Sequence, residues 1–111
     1  MKQYRIEVTA LAEQDLEDVG DYIAHNLLNP SAAFQTVRGI RKKINELQFF
    51  PYKNVCDVDP VLNQLGVRTE QFRNYVIYYI INELKQIVYI VRILHSLMDG
   101  RNRLKKSLGL E

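Results

Sequence analysis

Three basic residues in the C-terminal half of the chain, Arg68, Arg92 and His95, have the types needed to cleave a phosphodiester without a metal. Such cleavage removes a proton from the 2′-hydroxyl, stabilises the pentacovalent phosphate and protonates the leaving 5′-oxygen. The planar guanidinium of arginine binds two phosphate oxygens, and histidine exchanges protons near neutral pH. If the chain cleaves RNA, we expect these three residues to be catalytic.

Arg92 and His95 each have a structural alternative. Arg92 interrupts the apolar run 87–91, so it must be paired, for example with a carboxylate of the helical segment, or lie where the sheet opens to solvent or ligand. His95 could instead form a hydrogen bond to Asp99 or to the backbone. The two residues are three positions apart, so they reach one site only if the strand ends or bulges near residues 93–94.

Arg73 and Tyr75 are the candidates for phosphate or RNA contact. Arg68 and Arg73 flank a turn-like break, and for each of them an ordinary charge at a strand edge is the alternative. Tyr75 could stack on a base, although tyrosines at strand spacing more often pack in the core or on its rim. No Cys/His cluster has metal-ligand spacing, and the lone Cys56 has no base beside it in the sequence. We therefore expect no metal and no cofactor.

Charge is unevenly distributed along the chain, although the net charge is only +2. Residues 1–27 are acidic, whereas residues 38–53 and 101–106 are basic. Such asymmetry suggests an acidic or polyanionic partner, or two solvated helix faces of opposite sign. The length of 111 residues predicts a single domain over 1–111 with a short basic tail from about residue 100.

A cytoplasmic location is expected from three features. No apolar run approaches the roughly 20 residues needed to span a bilayer. The N-terminus carries a charge but no apolar stretch that would form a signal peptide. A lone cysteine fits a reducing compartment.

The pattern of apolar residues predicts the elements that would position these side chains. Period-two alternation over residues 3–8 predicts a strand, followed by an N-cap at Thr9. Apolar steps of three and four predict a helix of about five turns to residue 27, then a second helix that begins at Asn29-Pro30 and ends before Pro51. Their short link predicts an antiparallel hairpin.

The rest of the chain is predicted to be mostly strand. Residues 51–64 predict a loop, residues 65–69, 73–81 and 86–95 predict strands, and residues 99–103 and 104–108 predict a turn and a helical turn. The order β-α-α-β-β-β predicts an α+β fold, with the helical hairpin packed on a mostly antiparallel sheet.

This order of elements resembles the RelE/ParE superfamily of type II toxin–antitoxin toxins. The opening YRIEVTALAEQDL resembles the family's first strand and helix, and DYIA with NPSAA resembles the hairpin of the ParE and plasmid-stabilisation branch. LQFFP matches the Leu-x-x-x-Pro that closes the second helix, and LGVR, NYVIYY and VRILH follow the sheet pattern. The resemblance covers residues 4 to about 99.

The resemblance implies a cognate antitoxin that wraps and neutralises the toxin, and one of two activities. RelE-like members cut mRNA in the ribosomal A site, whereas ParE-like members inhibit DNA gyrase. The nucleases place basic residues at strands corresponding to those of Arg68 and Arg92. They are also rich in lysine across the active face, whereas Lys85 is the only lysine between residues 54 and 104. That departure favours a ParE-like growth inhibitor or an uncharacterised activity over a nuclease.

Two further alternatives remain open. The chain could be a toxin-derived binding module that pairs with an antitoxin and has lost its toxicity. A homodimer is also compatible with the sequence.

Overall fold

A four-stranded mixed sheet forms the centre of the fold, with helices on both of its faces. The computed structural model describes residues 3–110. The elements are β1 (Arg5–Val8), α1 (Ala10–Asp21), a π-helical segment (Tyr22–Asn26), α2 (Pro30–Glu46), a 3-10 turn (Pro51–Lys53), α3 (Pro60–Gln64), β2 (Val67–Phe72), β3 (Tyr75–Asn82), β4 (Ile87–His95) and α4 (Gly100–Ser107). None of these helices is long and apolar enough to cross a bilayer.

The strand order is β1-β4-β3-β2, with β1 parallel to β4 and the other neighbours antiparallel. The helical hairpin of α1 and α2 packs on one face of this sheet. The fold is therefore α+β with a mostly antiparallel sheet, which confirms the predicted fold class.

Side-chain caps begin both hairpin helices as predicted. Thr9 accepts the backbone N–H of Ala12 at 3.2 Å, and Asn29 accepts that of Ala32 at 3.1 Å. Pro30 occupies the first position of α2, where its missing N–H loses no helical hydrogen bond. These caps fix where each helix begins.

The predicted five-turn first helix is wrong at its C-terminal end. Regular α1 ends at Asp21, and a wider π-helical turn follows, in which the N–H of Leu27 donates to the oxygen of Tyr22 at 3.2 Å. The extra residue shifts the helical phase, so Leu27 is 57% exposed instead of continuing the apolar stripe. Apolar periodicity does not reveal such a local widening.

The two faces of the sheet bury separate cores because alternate strand residues point to opposite sides. The hairpin face buries the larger cluster, which includes Leu16, Ile40, Ile44, Ile77, Tyr79 and Ile90. The opposite face buries a smaller cluster of Leu62, Val67, Tyr78, Leu94 and Leu104. Helices α3 and α4 supply Leu62 and Leu104 and thereby cover this second face.

Both α3 and α4 differ from the sequence prediction. The segment predicted as a loop over residues 51–64 contains α3, and the turn predicted over residues 99–103 is the start of α4. Helices of five and eight residues are too short to display a clear apolar period. The basic segment from residue 100 is therefore a packed helix, anchored by fully buried Leu104.

Candidate functional site

Arg92 is held in a buried ion pair with Asp15 of α1. Its Nε and Nη2 atoms donate to Oδ2 and Oδ1 of Asp15 at 2.8 and 2.9 Å, and its Nη1 donates to Oγ of Ser107 at 2.6 Å. Only 13% of the Arg92 side chain and 7% of the Asp15 side chain are exposed. The pairing with a carboxylate of the helical hairpin, which the sequence allowed as an alternative, is the arrangement observed.

The end of β1 explains how Asp15 reaches the sheet. β1 stops at Val8, opposite Ile90, so the rest of β4 has no strand on that side within residues 3–110. The Asp15 carboxylate fills part of the gap and accepts the backbone N–H of Ile93 at 2.9 Å. One carboxylate therefore binds both a guanidinium and an open sheet edge.

His95 packs against Tyr75 at the far end of the same strand. The two residues are register partners, and their rings meet edge to face with centroids 5.2 Å apart. Nδ1 of His95 accepts the N–H of Leu97 at 3.0 Å, which is the backbone bond that the sequence allowed. In the neutral ring this places the proton on Nε2, which has no hydrogen-bond partner within residues 3–110.

A groove of about 580 Å³ brings Arg92, His95 and Tyr75 together along the open edge of β4. Its other wall is formed by α1, the segment after β4 and α4, including Asp18, Tyr22, Leu97, Met98 and Arg103. The strand does bulge, but at Val91, because Tyr78 pairs with Arg92 whereas Tyr79 pairs with Ile90. Their spacing along β4 still places Arg92 and His95 on opposite faces of the sheet. Both reach the groove because, within residues 3–110, no strand covers this edge of β4 beyond the end of β1.

Arg68 lies apart from this groove, on β2. Its Nη1 donates to the backbone oxygen of Asn54, and its guanidinium lies over the ring of Tyr52, 4.9 Å from the centroid. β3 separates β2 from β4, which puts roughly 10 Å between those two strands. The structure therefore does not bring Arg68 together with Arg92 and His95.

Arg73 also lies away from the groove, in the turn between β2 and β3. It has a positive φ of 53°, and its guanidinium lies 5.1 Å from the centroid of the Phe72 ring. Its Nη1 donates to the hydroxyl of Thr36 on α2 at 3.4 Å. These contacts join the turn to the helical hairpin.

The sequence pattern of the ParE toxin of the type II toxin–antitoxin system, parDE, matches residues 6–100. The chain belongs to this family. It is therefore a toxin of a type II toxin–antitoxin system, as the resemblance implied. No protein of the curated set matches the toxin at a significant level.

Solved structures similar to the toxin share its fold. One is described as the chromosomal ParDE system from Pseudomonas aeruginosa, with 20% identity, 86% of this chain and 98% of that chain covered, and a TM-score of 0.68. The RelBE2 toxin–antitoxin complex from Mycobacterium tuberculosis has 20% identity, coverages of 84% and 98%, and a TM-score of 0.55. A mutant of Escherichia coli RelE in the free state has 13% identity, coverages of 96% and 97%, and a TM-score of 0.66.

The sequence prediction did not single out Asp15, Tyr22 and Arg103 of the toxin's groove, nor Ser107, which binds Arg92. Asp15 had a usable signal, because it lies three positions after Ala12 and four before Val19, on the apolar stripe of α1. Its acidic neighbours in the sequence hid that signal. Within residues 3–110, no group of three His, Cys, Asp or Glu side chains could hold a metal ion.

Ion pairs hold α4 of the toxin against the segment that contains α3. Nε of Arg101 donates to Asp57 at 3.0 Å, and Nζ of Lys105 donates to Asp59 at 2.6 Å. The hydrogen bond from Lys105 lowers the pKa of the Asp59 carboxyl below its ordinary value. Two of the basic side chains near the C-terminus are therefore already neutralised within the fold.

Proposed function

We propose that this toxin stops growth by binding a protein target, DNA gyrase, and not by cleaving RNA. The observation that carries the proposal is the pairing of Arg92. Three of its guanidinium nitrogens already donate to Asp15 and Ser107. A phosphate clamp needs a free fork of donors, and this fork is engaged within the protein.

Releasing Arg92 for a phosphate would be costly. It would leave the Asp15 carboxylate buried without its cation, and breaking such a pair costs roughly 3 to 5 kcal/mol. Arg68 does not compensate, because it lies on β2 beyond the groove. The predicted catalytic set of Arg68, Arg92 and His95 would thus have to assemble by rearrangement, whereas protein binding needs none.

We also propose that a cognate antitoxin neutralises the toxin in the cytoplasm. Two of the similar structures are described as a toxin–antitoxin system and a toxin–antitoxin complex. In this chain the groove has exposed apolar side chains at its rim, namely Tyr22, Leu97 and Met98. Such a surface suits a helix or strand of a protein partner.

Induction of the toxin gene in a bacterial host tests this proposal. We expect growth arrest with filamentous cells and an SOS response, and we expect the purified toxin to inhibit DNA supercoiling by gyrase. The double variant Arg68→Ala/His95→Ala should retain full inhibition. Arrest of translation with mRNA cut at codons, abolished by that variant, would contradict the proposal. Absence of arrest would instead support a non-toxic binding module.

A metal-independent mRNA endonuclease is the second candidate, because the groove brings Arg92, His95 and Tyr75 together. There the Nε2 of His95 would exchange a proton with the RNA, and Tyr75 would contact a base. This function requires Arg92 to leave Asp15 when RNA binds. Cleavage of ribosome-bound mRNA by the purified toxin would establish it.

A further inference from the structure

A second cavity, of about 340 Å³, lies on the sheet face opposite the helical hairpin, beside the start of α4. We call it the α4 notch. Its polar walls come from β2, β3, the segment after β4 and α4, and include Thr69, Gln71, Tyr78, Ser96, Asp99 and Arg101. None of the predicted site residues lines it.

The hydroxyl of Tyr78 in this notch has no hydrogen-bond partner within residues 3–110, although only 6% of the residue is exposed. The oxygen itself contacts solvent, since no fully buried side-chain N or O atom within residues 3–110 lacks a hydrogen-bond partner. Gly100 leaves room for the hydroxyl, because a Cβ there would lie 2.3 Å from the Tyr78 oxygen. Burial raises the pKa of Tyr78, so the phenol stays neutral and can accept or donate a hydrogen bond.

Acceptor oxygens that make no hydrogen bond within residues 3–110 line the α4 notch, although Oδ2 of Asp99 already accepts the side-chain amide of Asn102. Asp57 uses only Oδ1, for Arg101 and the N–H of Asp59, so its Oδ2 makes no hydrogen bond within residues 3–110. Gln71 donates its amide to the oxygen of Arg73, which leaves its own amide oxygen as an acceptor. Asp99 adds a second carboxylate, so the lining carries two negative charges against one positive charge.

We propose that the α4 notch receives the basic side chain, arginine or lysine, of a protein partner. The guanidinium and ammonium groups offer five and three donors and no acceptor, which matches this lining. Val76 and Met98 supply apolar contacts for the aliphatic stem. A phosphate fits poorly, because it would face the two carboxylates of Asp57 and Asp99, whereas a basic side chain would be attracted to both. This inference rests on the proposed function only in taking the partner to be a protein.

A titration of the full-length toxin with N-acetyl-arginine methylamide, followed by NMR, tests the notch itself. We expect saturable shifts of the backbone amides of Gln71, Gly100 and Arg101, with a dissociation constant in the millimolar range. The glutamine analogue and adenosine monophosphate should cause no saturable shift there. Equal responses to all three probes, or a response to the nucleotide alone, would overturn the proposal.

Matched variants connect the binding to the residues that carry it. Tyr78→Phe/Asp99→Asn should weaken arginine binding at least fivefold, whereas Tyr75→Phe, in the other groove, should leave it unchanged. Amide spectra and thermal melting check that each variant is folded. Unchanged arginine binding in the folded Tyr78→Phe/Asp99→Asn variant would overturn the assignment.

Two further measurements with that variant distinguish the source of the basic side chain. One is its inhibition of gyrase supercoiling, and the other is its affinity for the antitoxin encoded beside the toxin gene. A fivefold or larger loss in one measurement identifies that partner, and no loss in either would overturn the proposal. If the wild-type toxin fails to inhibit gyrase, the proposed function fails, and the arginine titration still decides whether the notch binds.

Discussion

The two faces of the sheet differ in how their apolar and charged side chains are covered. On the hairpin face, two long helices bury a large apolar cluster. At its margin the Asp15 carboxylate accepts hydrogen bonds from the Arg92 guanidinium and from the backbone N–H of Ile93. On the opposite face, two short helices, α3 and α4, close a small cluster through Leu62 and Leu104. The ion pairs of α4 with Asp57 and Asp59 are more exposed, and beside them opens a polar notch whose phenol, Tyr78, makes no hydrogen bond within residues 3–110.

We expect the hairpin face to contribute mainly to stability and the α4 face mainly to recognition of a partner. The larger cluster supplies most of the buried apolar area, so it carries most of the hydrophobic stabilisation. The α4 face contributes less and keeps polar groups available to a partner. A charge change should therefore be severe at the margin of the hairpin face and mild on α4.

The largest expected effect tests the buried pair of Asp15 and Arg92. Asp15→Ala leaves the Arg92 guanidinium and the Ile93 amide without their carboxylate, so we expect a loss of roughly 3 to 5 kcal/mol in the free energy of unfolding. Urea denaturation measures it. The matched control is Glu13→Ala on the same helix, which removes only the exposed pair with Arg41 and should cost about 0 to 1 kcal/mol. Equal losses would erase the contrast between buried and exposed charges.

The second prediction measures how much the α4 face contributes. Leu104→Ala should destabilise the toxin by an amount in the lower part of the range of about 2 to 5 kcal/mol, because α4 can shift to close part of the cavity. Ile40→Ala, at a fully buried position of the larger cluster, should lie in the upper part. Denaturant midpoints with unchanged slopes give both values. A greater loss for Leu104→Ala would reverse the ranking of the two faces.

A third prediction concerns the close approach of α4 to β3. Gly100→Ala would place a methyl group 2.3 Å from the Tyr78 hydroxyl, and such overpacking typically costs about 1 to 3 kcal/mol. Adding Tyr78→Phe should recover most of the loss. Gly20→Ala is the control, because its Cβ would meet Val37 at an ordinary 3.4 Å. Thermal melting of the two single variants and the double variant gives the coupling between Gly100→Ala and Tyr78→Phe. If the two effects on stability simply add, the steric explanation is excluded.

The smallest effect is a pH dependence at the α4 ion pair. Lys105 lowers the pKa of Asp59, so this carboxylate stabilises the folded state above its unfolded pKa, near 4. That contribution is lost as the pH falls through the lower, folded-state pKa. Asp59→Asn should therefore be less stable than the wild type at pH 7. The difference in the free energy of unfolding between the two should disappear as the pH falls below 4. A stability difference that does not change with pH would mean that Asp59 acts only by capping α3.

Local sequence signals predicted much of the fold because their causes are local. Thr9 and Asn29 are recognisable as helix caps because each lies just before an apolar stripe. The alternation of apolar and polar residues in the strands follows from the pleat of the backbone. The π-helical turn at Tyr22 and the bulge at Val91 each insert a residue into a regular element. Apolar spacing of the flanking segments does not reveal such insertions.

The candidate site was harder to predict because its geometry depends on tertiary contacts. The sequence identified Arg92 as an arginine that needed a partner, yet which carboxylate binds it depends on how α1 crosses the end of β1. Arg68 looked equivalent in the sequence, but strand order places it two strands from the groove. In the sequence, nothing set Tyr78 apart from the other strand tyrosines that could stack on bases, since its hydroxyl differs from theirs only in what surrounds it.

The carboxylate of Asp15 has a consequence for solubility. An edge strand with free amides is a template for pairing with another chain, and long open edges promote aggregation. Asp15 occupies the Ile93 amide and places a negative charge where an incoming strand would lie. Beyond the last strand partner of β4 and the contacts of Thr9, the Asp15 side chain protects the incomplete edge, which opposes polymerisation of the protein through its sheet.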